Sequence, residues 1–249
     1  MRVSNINDRV ALVTGASRGI GRAIAEGLAA DGVEVAVHYN SDKAGAEETL
    51  ARIGRGFLIG AELGVPGDVD NLVSQLEAGL AGRPLDILVN NAAAAPAGPI
   101  ETDTVDAFDR LFAVNVRAPY FLIQRVLPLL RDGGRIISIS SVATRMANPT
   151  QTSFAMTKAA LESMTFTLAQ SLGARGITVN AVAPGATRTD ANAPLFDTPG
   201  LTNAITALTA QDRLGRAEDI AVQVIPYSAC RGAGDRLAAS TPGSHPCSQ

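Results

Sequence analysis

Val10-Ala-Leu-Val-Thr-Gly-Ala-Ser-Arg-Gly-Ile-Gly-Arg-Ala-Ile-Ala-Glu-Gly-Leu-Ala-Ala30 reads as three joined pieces. An apolar strand runs into a loop carrying Gly15, Gly19 and Gly21, and the loop runs into an amphipathic helix. Glycines let a backbone turn tightly and approach a ligand closely. The helix start presents unpaired N–H groups and a partial positive charge. The unit therefore reads as a pyrophosphate cradle, with Gly15, Ser17, Arg18, Gly19, Ile20 and Gly21 as its candidate lining. The spacing is Gly-x-x-x-Gly-x-Gly, distinct from Gly-x-Gly-x-x-Gly.

Working outward, short apolar runs alternate with longer helical patterns. Strands are expected at 10–14, 33–38, 56–60, 86–90, 134–140 and 177–182. Helices are expected at 19–31, 42–53, 69–81, 105–130, 152–173, 202–210 and 216–228. Such alternation predicts an α/β fold: a single-domain, doubly wound parallel sheet of Rossmann type with helices on both faces. Ligands of such sheets sit at the carboxyl ends of the strands, near the switch in strand order. No linker breaks the rhythm, so residues 1–229 are expected to form one domain. From Cys230 onward neither period continues and Pro, Gly and Ser accumulate. The stretch 230–249 is therefore expected to be an irregular or mobile tail, with the last strand missing or altered.

Composition excludes several classes. The chain has 249 residues, 46% of them hydrophobic, enough for a full core. A net charge of −3 without a basic block argues against nucleic acid as a partner. No apolar run approaches the length of a membrane span, and Met1–Arg9 lacks a signal-peptide core. Two cysteines, Cys230 and Cys247, make no disulfide framework, which suggests a reducing, cytoplasmic setting. His38 and His245 have no partner cluster, so no metal site is expected.

Two segments can carry chemistry. Ser140-Ser141 ends the expected strand before 141, where a hydroxyl meets the ligand crevice. Phe154 and Lys158 are four apart on a helix, so they share a face. Pro119 lies four residues after Asn115 and has no N–H, so the Asn115 carbonyl loses its helical partner. That is either a plain kink or a polar site.

These residues resemble the short-chain dehydrogenase/reductase family over roughly residues 8–228, most of all its 3-oxoacyl-carrier-protein reductases and related ketoreductases. Thr14-Gly15-Ala16-Ser17-Arg18-Gly19-Ile20-Gly21 is similar to the family's cofactor loop, and Asn90-Asn91-Ala92-Ala93 to its Asn-Asn-Ala-Gly motif. Asn115, Ser141 and Lys158 match three of its four catalytic positions, and Pro184-Gly185 its Pro-Gly turn. The fourth position, thirteen residues after the serine and four before the lysine, holds Phe154 where the family has tyrosine. The resemblance implies reduction of a ketone or 3-oxoacyl substrate: hydride from a nicotinamide to carbon, a proton from the phenol to oxygen. It implies that Lys158 lowers the phenol pKa and binds ribose hydroxyls, that Ser141 hydrogen-bonds the carbonyl, and that the Asn115 carbonyl holds a water leading to Lys158. Phenylalanine has no proton to give, so cofactor binding is expected to persist while turnover is impaired. The alternative is a cofactor-binding regulatory or scaffold protein without turnover.

After the second expected strand comes His38-Tyr39-Asn40-Ser41, with no carboxylate to bind an unphosphorylated ribose. With Arg18 and Lys43 near, Asn40 and Ser41 favour NADP(H) over NAD(H). Asp68 and Val69 are expected on the adenine side, although Asp68 serves equally as the cap of the following helix. Asn90 is expected to tie strands together, and Asn91 and Ala92 to line the cofactor. Thr187 and Thr189 follow the Pro-Gly turn; Thr189 suits the family's carboxamide contact, and a plain turn suits it as well. A hydrolase is disfavoured, because Ser141 lacks a histidine base and a Gly-x-Ser-x-Gly elbow. The expected partners are a small carbonyl or alcohol substrate and further copies of the chain, as a homodimer or homotetramer.

Overall fold

β1 (Val10–Val13) is buried along its whole length. An apolar run without alternation requires this, since both faces of a central parallel strand are covered. The computed structural model describes residues 9–95, 98–190, 192–198, 200–207, 209–229 and 237–239. The other strands are β2 (Glu34–Tyr39), β3 (Gly56–Gly60), β4 (Leu85–Asn90), β5 (Leu130–Ile139), β6 (Thr178–Ala183) and β7 (Leu237–Ala239). They form one parallel sheet in the order β3-β2-β1-β4-β5-β6-β7. β1 has β2 on one side and β4 on the other, so the order reverses there and a crevice opens at the carboxyl ends.

The helices are α1 (Gly19–Ala30), α2 (Lys43–Ile53), α3 (Asp68–Leu80), α4 (Val105–Phe112), α5 (Ala118–Val126), α6 (Thr152–Leu172), α7 (Ala193–Phe196), α8 (Leu201–Thr206) and α9 (Ala217–Ala229). Two apolar layers hold them. Leu72, Leu76, Leu122, Val126 and Leu172 of α3, α5 and α6 pack on the face of the sheet that carries Leu12, Leu88 and Ile136. Ile24, Leu28, Ala46, Ile220 and Val224 of α1, α2 and α9 cover the opposite face with Val13, Val37, Val89 and Ile137. The expected fold class is therefore found, with helices on both faces.

Three expectations change. The stretch 105–130 is not one helix: a π turn at Ala113–Arg117 separates α4 from α5, because Pro119 cannot donate to the Asn115 carbonyl and the ladder widens before it. The chain enters β5 already at Leu130, where Leu85 pairs with Leu130 ahead of the register shift in β4. The last strand is present: β7 pairs in parallel with β6 from Ala181↔Leu237 to Ala183↔Ala239. Three apolar residues between Gly- and Pro-rich segments are too short to show a period, yet they satisfy the open edge of β6. The expected irregular tail is thus corrected for residues 237–239; the rest of 230–249 lies outside the described residues. Among the described residues no helix is long and apolar enough to cross a membrane.

Candidate functional site

The glycine turn between β1 and α1 is a backbone-on-backbone contact. A Cβ on Gly21 falls 2.2 Å from the Gly15 carbonyl oxygen, so no side chain fits there. Gly15 has φ +65°, a left-handed conformation. Thr14 latches this turn to the next strand. Its hydroxyl accepts from the Asn91 and Ala92 N–H groups at 2.9 and 3.0 Å and lies 3.3 Å from the Val89 carbonyl, to which it donates. The Asn91 amide donates to the carbonyls of Thr14 and Gly15 at 2.8 and 3.1 Å. Arg22 and Thr49 tie down the Ser17 and Ala16 carbonyls from the far side.

His38 completes the cradle. The Gly15 N–H donates to Nδ1 at 3.0 Å, so the proton sits on Nε2, which donates to the Ala61 carbonyl at 3.0 Å. Burial lowers the His38 pKa to about 4, and the ring stays neutral. It is a structural histidine, as its isolation in the sequence suggests.

A cleft of about 430 Å³ opens above this turn. It brings together Gly15, Ser17, Arg18, Gly19, Ile20, Gly21, Asn40, Ser41, Asn91, Ala92 and Thr189 of the expected positions. Arg18 precedes α1 and makes no ion pair among the described residues. Asp42 also lines the cleft, one residue beyond the acid-free stretch, but its Oδ1 accepts the Gly45 N–H at 3.0 Å and caps α2. A turn too tight for any Cβ, a helix start and an unpaired guanidinium fit a phosphorylated dinucleotide.

Asp68 and Val69 do not line this cleft. The Asp68 carboxylate accepts the N–H groups of Gly64 at 2.6 Å and Val69 at 2.7 Å, and both residues lie on a separate cavity with Arg117 and Arg125. Gly67, not Asp68, is the N-cap of α3, so the capping reading of Asp68 is corrected: Asp68 is the first residue of the helix, and its carboxylate ties the Gly64 and Val69 amides. The residue after β3 that lines the cleft is Leu63, together with Arg110 and Val114. Its position directly after the third strand was the available signal. Asn90 is corrected as well: its side-chain amide has no hydrogen-bond partner, and Asn91 does the tying.

Several of the remaining expected residues connect to the cleft through Ala94, which lines it. The Asn115 Oδ1 accepts the Ala94 N–H at 2.8 Å, and its Nδ2 donates to Thr157 Oγ1 at 3.2 Å. Thr157 in turn donates to the Phe154 carbonyl at 2.7 Å. The Lys158 ammonium donates to the Ile139 carbonyl at 2.8 Å and stands 5.4 Å from the Phe154 ring centroid. Burial lowers its pKa to about 8. Ser141, two residues past Ile139, accepts the Ala143 N–H on Oγ at 3.2 Å, which leaves its own proton free to donate outward. The Pro184 carbonyl accepts the Val142 N–H at 2.9 Å, so the Pro184-Gly185 turn braces the serine loop. Thr187 is turned inward, donating to the Gly185 carbonyl at 3.1 Å and bridging to Gly215. Glu162, which the sequence reading passed over, accepts from the Ser140 and Thr144 hydroxyls at 2.7 and 3.1 Å.

Residues 15–225 match the family model described as enoyl-(acyl carrier protein) reductase. The chain is 42% identical over 187 residues to the hydroxynaphthalene reductase-like protein Arp2 of Metarhizium brunneum, covering 73% of this chain and 69% of that one. It is 38% identical over 229 residues to an uncharacterized oxidoreductase of Methylorubrum extorquens, covering 88% and 90%. Among solved structures, the promiscuous reductase LugOII, which catalyses keto-reduction at C1 during lugdunomycin biosynthesis, superposes with TM-score 0.84 at 48% identity, covering 89% of this chain and 90% of that one. The angucycline C-6 ketoreductase LanV with bound NADP gives TM-score 0.84 at 46% identity, covering 89% and 88%.

Two outcomes are expected. Gly21→Ala weakens NADPH binding about 10- to 100-fold in a fluorescence titration, because the added methyl forces the turn open at a strain of about 1–3 kcal/mol. His38 has a folded pKa below its ordinary 6.5, so its neutral ring stabilises the fold fully above about pH 6.5 and that stability is lost toward pH 4. Urea melts across this range should show a fall of about 3 kcal/mol that His38→Gln lacks.

Proposed function

The chain belongs to the short-chain dehydrogenase/reductase family, and on that premise we propose that it is an NADP(H)-dependent ketoreductase whose proton-transfer step is impaired by Phe154. NADPH supplies the hydride when bound. Gly15 to Gly21 and the α1 N-terminus hold its pyrophosphate, Arg18 with Asn40 and Ser41 takes the ribose phosphate, and Thr189 closes the inner end. The neighbour solved with NADP supports the choice of coenzyme, as does the engagement of Asp42 in capping α2. Lys158 binds ribose hydroxyls, and Ser141 donates to the substrate carbonyl.

The observation that carries the reading is the Lys158 ammonium over the Phe154 ring, beside the strand end that leads to Ser141. The ring keeps the shape of a family tyrosine and the position of its lysine, and lacks only the hydroxyl. Loss of a positioned general acid costs on the order of 10²–10⁴-fold in rate. Both LugOII and LanV act on ketones by their descriptions, and Arp2 is called hydroxynaphthalene reductase-like. These relatives favour a fused-ring aromatic ketone as substrate over a 3-oxoacyl thioester. The missing hydroxyl also favours a second reading, a nucleotide-binding protein without turnover.

Phe154→Tyr should raise NADPH-dependent reduction of a fused-ring ketone by at least about 10²-fold while leaving the NADPH dissociation constant within about twofold. Absorbance at the NADPH band over a panel of fused-ring ketones and 3-oxoacyl thioesters checks this. Nucleotide binding with flat turnover in both chains supports the non-enzymatic reading. We also infer a homodimer or homotetramer built on α5 and α6, where Tyr120, Phe121 and Phe166 are exposed apolar side chains. Light scattering should give twice or four times the mass of one chain, and Phe166→Glu should shift it toward the monomer.

A further inference from the structure

Positions 154, 158 and 162 recur at four-residue spacing, so they lie along one face of α6. Phe154 and Lys158 belong to the ketoreductase reading; Glu162 has no part in it. Its carboxylate nevertheless meets the loop that carries Ser141. Oε1 accepts from the Ser140 hydroxyl at 2.7 Å and from the Thr144 hydroxyl at 3.1 Å. Oε2 faces the Arg145 guanidinium at 3.5 Å. Ser140 and Thr144 stand on either side of Ser141, one residue before it and three after.

We infer that Glu162 is the positioning residue for Ser141, fixing its hydroxyl in register with the Lys158 side of α6; this rests on the ketoreductase reading above. Other bonds hold the backbone of this segment: the Ser140 N–H donates to the Val182 carbonyl at 2.7 Å, and the Thr144 hydroxyl, 3.1 Å from Glu162, also lies 3.0 Å from the Ser141 carbonyl. Ser141 opens a single 3₁₀ turn (Val142–Thr144), too short to hold its own shape. Across the loop, the Val142 N–H is held by the Pro184 carbonyl. On the α6 side, Ser140 Oγ lies 3.5 Å from the Lys158 carbonyl, at the limit of hydrogen bonding. The Glu162 bonds are shorter and charge-assisted, and the carboxylate is 13% exposed, where water competes little. On the ketoreductase reading Ser141 donates to the substrate oxygen, and a displacement of about 1 Å at such a group can cost on the order of 10²-fold in rate.

The test uses the full chain carrying Phe154→Tyr as the parent. Adding Glu162→Ala should lower kcat at least about tenfold, with the NADPH dissociation constant within about twofold, since Glu162 bonds the loop after β5 and the glycine turn follows β1. Adding Glu162→Gln should restore kcat to within about threefold of the parent, because the amide oxygen still accepts from Ser140 and Thr144. A purely stabilising contact lowers the unfolding midpoint and leaves kcat of the folded protein intact; that result, or Glu162→Gln falling as far as Glu162→Ala, overturns the inference. Hydrogen exchange of the 140–146 amides gives a readout free of turnover: about tenfold faster in Glu162→Ala and unchanged in Glu162→Gln. If the parent binds NADPH and reduces no ketone, the ketoreductase reading fails, and the exchange rates alone decide on Glu162, equal protection in all three chains overturning its role.

Discussion

The 2.2 Å between the Gly15 carbonyl oxygen and the place where a Gly21 side chain would begin is the constraint on which the site depends. Two backbone segments lie in contact there, at the point where β1 hands the chain to α1. Such an approach is tolerable only if each polar group of the turn has another partner. The partners come from three directions. Thr14 and Asn91 join the turn to the end of β4, the neutral His38 ring takes the Gly15 N–H from the end of β2, and Thr49 and Arg22 hold the carbonyls from behind. The cleft of about 430 Å³ is what remains open above this knot.

The residues around the start of α6 are held by different means. A thread of side-chain bonds runs from Ala94 through Asn115 and Thr157 to the Phe154 carbonyl. It fixes the first turns of α6 against the π turn that Pro119 imposes. One face of α6 then presents Phe154, Lys158 and Glu162 in succession. The ammonium is buried, donates to the Ile139 carbonyl and stacks over a ring rather than meeting a hydroxyl. On the proposed reading, the residue beside this ammonium cannot give a proton.

Legibility differed between the two regions. The glycine turn could be read because its function restricts consecutive residues, and consecutive residues are visible in a chain. The same holds for the pairing of Phe154 with Lys158, which helical periodicity implies, and for the helix disturbance at Pro119. Asp68 and Val69 were expected beside the cleft from their place along the chain, and they do not line it. The path from β3 reaches the cleft earlier, at Leu63, and the Asp68 carboxylate turns to the Gly64 and Val69 amides. Glu162 was invisible because its partners, Ser140 and Thr144, are distant in sequence and ordinary in type. β7 was missed because three residues carry no period; only the unpaired edge of β6 makes them a strand.

By itself the sequence determined the strand–helix alternation, the tight glycine turn after β1 and the absence of a phenol four residues before Lys158, because local sterics, periodicity and side-chain chemistry settle each of these. Tertiary structure alone decided which residue after β3 lines the cleft, which asparagine ties the turn, and which carboxylate meets Ser140 and Thr144. Those choices depend on how strands lie beside one another and on where a hydrogen bond finds its partner, and neither distance along the chain nor residue type contains that information.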